Sequence, residues 1–229
     1  RSAGDVRAGE SDESHSSQTP QVVNACYAAR ATWALGYPDT ALNRAERALS
    51  AAQDVRHPER LLIATHFAAQ LNQLRGEHAA TQERAETVIS LAEEYALPLW
   101  LAFGHMNRGW SRIAQRDIDN GIEELRRGLS MYDASGARLW RPHYFGLLAQ
   151  GLASAERIDD ARRELSAALA IVEETGEFWC ASELHPIEGE LVIMQSGSDD
   201  RHSTPPQKLP SAAASRAEDC FRQALAIAD

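Results

Sequence analysis

The sequence predicts an all-α fold: an α-solenoid of five helix–turn–helix repeats with a period of 40 residues, wound as a right-handed superhelix. Three observations predict it. One template opens at Ala41, Thr81, Gly121 and Ala161 and continues through Ala45, Ala85, Leu125 and Leu165 without slippage. It then passes through Ala48, Val88, Gly128 and Ala168 to Leu49, Ile89, Leu129 and Leu169, and a fifth copy reads Ala217, Phe221, Ala224 and Leu225. Small residues also recur every 40 positions upstream of each template, at Ala29, Ala69, Gly109, Ala149 and Gly189. Finally, Pro58 and Pro98, and Gly136 and Gly176, lie one period apart.

Each repeat then divides into a first and a second helix. In the second helices apolar or small residues fall at i, i+4, i+7, i+8 and i+11, which is one face of a 3.6-residue helix. The opposite face carries charge, as with Arg44, Glu46 and Arg47. Proline is well tolerated in the first turn of a helix, so Pro58 and Pro98 mark starts of first helices. The expected pairs are 21–35 with 39–54, 58–75 with 79–95, 98–115 with 119–133, 138–154 with 159–174, and 178–195 with 211–228. Gly36 and Gly76 suit the turns inside the first two repeats, whereas Arg116 and Glu156 at the equivalent positions predict turns that close differently. Residues 1–19 are polar and predict a flexible leader before a repeat domain at 20–229, within which the proline-rich 196–210 reads as a disordered insertion. A chain beginning at Arg1 reads as a piece of a longer one.

Composition narrows function. The net charge is −10, with Lys208 the single lysine among 23 basic side chains, which disfavours nucleic acid and anionic membrane surfaces as partners. No apolar run reaches the ~20 residues of a membrane span. Three scattered cysteines, Cys26, Cys180 and Cys220, read as reduced, buried thiols of a cytoplasmic protein. No glycine-rich loop accompanies Lys208, so phosphate-cradling chemistry is not expected, and no cofactor is implied. His105 and His185 share a register but stand two repeats apart, about 20 Å at roughly 10 Å per helix layer, too far to share a metal ion. Glu93–Glu94, Asp159–Asp160 and Glu173–Glu174 are adjacent pairs that diverge on a helix, not the fixed pair that acid–base catalysis needs. No catalytic or metal residue is assigned, and the chain reads as a non-enzyme.

ALGYPDTALNRAERAL and AEDCFRQALAIA resemble tetratricopeptide (TPR) sequence, although this unit is 40 residues rather than 34. ALGYPDTAL, LPLWLAFGHMNRGW, GIEELRRGLSMY, ELHPIEGELV and AEDCFRQALAIA, together spanning about 25–228, are similar to a specific group. These are the C-terminal helical arms of bacterial class III adenylate or guanylate cyclases linked to predicted signal-transduction ATPases. The resemblance implies a sensor or partner-docking arm in signal transduction, with a concave face lined by first helices.

The 40-residue register places three columns on that face: Val23, Ile63, Phe103, His143 and Glu183; Cys26, His66, Met106, Gly146 and Pro186; and Arg30, Gln70, Trp110, Gln150 and Glu190. Amides, imidazoles and aromatics mixed in this way suit a groove that anchors a peptide. Arg30, His66, Gln70, Met106, Trp110, His143 and Gln150 are therefore the candidate binding residues, the alternative being core fillers with polar members turned to water. A small-molecule effector near Met106, Trp110 and His143, and a structural or dimerisation spacer, are the competing functions. Trp100, Trp140 and Trp179 are expected to pack repeat junctions, each indole N–H meeting a loop carbonyl. The apolar face of the last helix, ending at Ile227 and Ala228, is expected to continue into further repeats or to pair in a homodimer.

Overall fold

The computed structural model describes residues 10–54, 57–199 and 211–228, and every element among them is helical. In chain order these are α1 (Glu10–Ala34), α2 (Pro38–Asp54), α3 (Pro58–Leu74), α4 (His78–Glu94) and α5 (Pro98–Ala114). They continue with α6 (Ile118–Ala134), α7 (Arg141–Ser154), α8 (Ile158–Thr175), a 3₁₀ turn at Phe178–Cys180, α9 (Ala181–Asp199) and α10 (Ser211–Ala228). This is the all-α helical-repeat fold that the 40-residue period predicts, with second helices α2, α4, α6, α8 and α10 in their expected places. Among the described residues no helix is long and apolar enough to cross a membrane.

Three boundaries differ from expectation. Residues 10–19 of the expected leader form the start of α1; residues 1–9 lie outside the described residues. Helix α7 starts at Arg141 because Trp140 before it takes a left-handed conformation, φ 77° and ψ −6°. Helix α9 runs to Asp199, so residues 196–199 of the expected insertion are helical, and 200–210 lie outside the described residues.

The chain divides into two compact units, one up to Ser111 and one from Arg112. In the first, α1 packs on α2 and α3, and α3 packs on α2 and α4. Val22 and Cys26 of α1 meet Ala48 and Ala52 of α2 and Ile63, Ala64 and Phe67 of α3 in one apolar cluster. Ala29, Ala41, Ala45, Ala68 and Leu71 make a second. Alanines at the crossings let the backbones approach. At Gly104 in α5 the approach is so close that a Cβ would lie 2.6 Å from Ile89 Cγ1 and 3.3 Å from the Ile89 backbone nitrogen. Helix α3 is buried on all sides, Leu62 through Gln73 without a break.

In the second unit α7 packs on α6, α8 and α9, and α9 packs on α8 and α10. Leu125, Tyr144, Leu148, Leu152, Leu184 and Leu191 are almost wholly excluded from water, each removal from solvent contributing about 1.5–3 kcal/mol. The small-residue register holds across both units, since Ala29, Ala69 and Ala149 are fully buried, and a Cβ on Gly189 would lie 2.9 Å from the Phe221 ring. The fifth template copy is half satisfied: Ala217 and Ala224 are buried against α9, while Phe221, Leu225 and Ile227 stay exposed.

The turns inside the repeats correct one expectation. Gly36, Gly76, Arg116 and Glu156 all adopt positive φ, at 82°, 73°, 74° and 59°. All four turns carry the same pair of bonds, for example Gly76 N to Gln73 O (3.0 Å) with Glu77 N to Asn72 O (2.9 Å). The third repeat repeats it with Arg116 N to Ile113 O (3.0 Å) and Asp117 N to Arg112 O (3.0 Å). This double closure is the Schellman motif. The backbone bonds impose one geometry whichever residue occupies it, so the non-glycine copies close alike and carry the strain. Ala96 holds the same conformation (φ 52°) where later inter-repeat turns have Gly136 and Gly176.

Candidate binding face of the first helices

In the first unit the columns begin in the core. Cys26 and Met106 are fully buried and His66 and Gln70 nearly so, whereas Arg30 and Trp110 are half-buried. Side chains at i and i+3 or i+4 share a helix face, which brings Ile63, His66, Phe67 and Gln70 of α3 side by side. The His66 ring lies 4.3 Å from that of Phe103 and 5.4 Å from that of Trp100, and Phe67 stands edge-on to it at 5.6 Å. Tyr27 of α1 closes the cluster against Phe67. Burial among these rings pushes the His66 imidazole down to about 3, so it is neutral, and its Nδ1 is buried without a hydrogen-bond partner. The same exclusion from water pushes the Cys26 thiol up to about 11. These residues make an aromatic floor, and Arg30 and Trp110 are the more accessible of the candidate residues in this unit. Trp100 packs here as a junction residue, as expected of its register.

In the second unit His143 is buried and Gln150 exposed. The outer column is joined here, with His143 Nδ1 3.4 Å from Glu183 Oε2. Gly146 marks a tight approach of α7 to α9, since a Cβ there would lie 2.5 Å from Leu184 Cδ2. Glu190 is exposed beside Gln150 in the register of the third column.

The structure adds residues that periodicity did not single out. Glu177 Oε1 accepts hydrogen bonds from both the Trp140 backbone N–H and the Trp179 indole, each at 2.8 Å. A carboxylate thus takes the place of the loop carbonyl expected for Trp179. The signal was present: among His57, Leu97, Ala137 and Glu177, equivalent by register, only Glu177 is acidic. Trp140 and Trp179 meet edge-to-face at 4.6 Å, and Trp179 lies 5.4 Å from His143. The Tyr132 hydroxyl donates to the Leu139 carbonyl, and burial followed by the Glu177 charge pushes it up to about 12. In the first unit Arg75 donates to Glu77 (2.7 Å) and to Asp39 (2.9 Å), tying one intra-repeat turn to the helix start of the previous repeat. Glu77 also accepts from Asn72, and its carboxyl is held below the usual range, first by Arg75. A buried Glu124 pairs with Arg112 at 3.1 Å.

Cys26 and Cys180 are buried free thiols, but Cys220 is only half-buried. A cavity of about 690 Å³ opens over the outer face of α2, lined by Asp39, Asn43, Glu46 and Arg47 rather than by first-helix columns. Among the described residues no group of three or more His, Cys, Asp or Glu side chains gathers as a metal site would.

No known protein family and no curated protein matches the sequence. Solved structures do match. The apo form of RapI is 13% identical with a TM-score of 0.59, covering 92% of this chain and 83% of that one. Aspartyl phosphate phosphatase F from Bacillus subtilis is 16% identical with a TM-score of 0.60, covering 90% of this chain and 50% of that one. Kinesin-light-chain-type TPR-like repeats from Podosopora anserina are 14% identical with a TM-score of 0.54, covering 91% and 95%. At these identities the likeness is one of fold: the chain has a TPR-like helical-repeat architecture.

Proposed function

We propose that this chain is a non-catalytic arm that binds a protein or peptide segment, and that it serves as the regulatory part of a larger cytoplasmic bacterial signalling protein of the cyclase- and ATPase-linked kind. The TPR-like fold supports the first half of this reading, and the sequence resemblance is the support for the second. One observation carries it. In the first unit Arg30 and Trp110 are accessible where His66, Gln70 and Met106 are buried, and in the second Gln150 is exposed where His143 is buried. A repeat layer that only packs needs apolar side chains; an accessible guanidinium or amide on a first helix can hold the polar backbone of an extended segment. The buried members fix the shape of the face and keep the accessible ones in place.

The test is an array of short synthetic peptides probed with the wild-type chain and with Trp110→Ala and Gln150→Ala. The reading predicts loss of bound peptides by about tenfold in affinity while far-UV circular dichroism stays unchanged. Undiminished binding by both variants would contradict it. A second copy is a further partner favoured by the exposed Phe221, Leu225 and Ile227 of α10, an apolar face that water does not suit.

A further inference from the structure

We infer that the two inter-repeat loops around Trp140 and Trp179 form a docking surface for a protein segment that carries an apolar side chain next to an arginine or lysine. The inference rests on the reading of the chain as a peptide-binding arm and adds a second surface with a stated partner chemistry.

The loops are held together and the exposed groups are apolar. Leu139 and Phe178 are 54% and 58% exposed, large values for side chains that water does not stabilise. Their chain neighbours Trp140 and Trp179 touch at 4.6 Å, and Glu177 accepts from the Trp140 N–H, so the loop that carries Leu139 is tied to the loop that carries Phe178. Glu177 binds both tryptophans through one oxygen, and the Tyr132 hydroxyl fixes the carbonyl of Leu139.

Charge identifies the occupant. Glu177 bonds both tryptophans, Glu183 stands 3.4 Å from His143 beside Trp179, and Glu173 and Glu174 are exposed at the end of α8, just before the loop of Phe178. Glu173 and Glu174 fall in the last turn of α8, which holds no basic residue, so they add to the negative end of the helix dipole instead of neutralising it. On the opposite loop Arg141 is engaged with Asp133 at 2.8 Å and lies over the Phe145 ring, leaving Arg138 as the nearby countercharge. An apolar surface rimmed by excess carboxylate is complementary to a basic, apolar segment and repels an acidic one.

The experiment probes an array of short synthetic peptides with the wild-type chain and three double variants. Leu139→Ser with Phe178→Ser removes the apolar contacts at exposed positions. Glu173→Gln with Glu174→Gln removes charge without touching the core, and Trp110→Ala with Gln150→Ala alters the first-helix face. Bound peptides should pair a leucine or aromatic residue with arginine or lysine. The first variant should bind them about tenfold more weakly, and the second more weakly with a flatter salt dependence. Full binding by the Leu139/Phe178 variant, or bound peptides without basic residues, would overturn the inference. Peptides lost only on the Trp110/Gln150 change would overturn it while leaving the peptide-binding reading standing. No peptide bound by the wild-type chain would overturn both.

Discussion

Arg116→Gly should stabilise the chain, although it deletes a side chain and adds no contact. Arg116 is exposed and sits at φ 74°, where an L-residue gives up about 1–2 kcal/mol relative to its preferred conformations. Glycine removes that cost and returns roughly 0.5–1 kcal/mol through its larger unfolded freedom, so the net gain is about 0.5–1 kcal/mol. Both closing bonds, Arg116 N to Ile113 O and Asp117 N to Arg112 O, are made by backbone and survive the change. The mirror experiment is Gly76→Ala. Gly76 has φ 73° and nothing within 4 Å of an added Cβ, so the loss of about 1 kcal/mol reports backbone conformation alone. For a chain of this size each kcal/mol moves Tm by roughly 2–4 °C. Thermal and urea unfolding followed by far-UV circular dichroism resolves both changes. A lowered midpoint for Arg116→Gly, or an unchanged one for Gly76→Ala, would refute the common left-handed closure.

Other expectations follow the same logic. Glu177→Ala leaves the Trp140 N–H and the Trp179 indole without their acceptor and should destabilise by about 1–3 kcal/mol, with a changed near-UV tryptophan dichroism as the check. Gly104→Ala forces a methyl against Ile89 and its backbone and should lower the unfolding free energy measured in urea by about 1–3 kcal/mol, whereas Ala substitution in an exposed helix interior normally helps. Because the folded His66 pKa, about 3, lies below its ordinary 6.5, its neutral form is favoured in the folded state. That stability is complete above pH 6.5 and falls as pH drops toward 3; His66→Leu should flatten the acid limb of a urea-midpoint-against-pH profile. Cys26, pushed up to about 11, should resist thiol-labelling reagents in the folded chain at mildly alkaline pH, while half-buried Cys220 reacts first.

The helices were legible because each second helix repeats the same 3.6-residue face at a fixed 40-residue offset; Ala85, Leu125 and Leu165 are all buried where that pattern puts them. The small-residue register was equally readable, since close helix approach leaves no room for more than Ala or Gly at positions such as Ala69 and Gly189. Turn geometry was less so. Glycine signals a left-handed residue, but Arg116 and Glu156 adopt that conformation within the local backbone closure, and Trp140 just before α7, and side-chain identity does not reveal this. The candidate face was half legible. Register assigns His66, Gln70, Met106 and His143 to one side of their helices, yet how deeply neighbours cover them depends on packing between helices. Glu177 stood out by register only as an acid among His, Leu and Ala; that it joins two tryptophans 39 residues apart needed the fold.

The most direct test of the peptide-binding reading is a thermal-shift comparison of two libraries on the wild-type chain, one of short peptides and one of small metabolites. A ligand held only by the folded state at 100 times its Kd adds about 2.7 kcal/mol, a rise of roughly 5–10 °C. The account predicts such rises with peptides and none with metabolites. Stabilisation by a metabolite, with no response to any peptide, would contradict it.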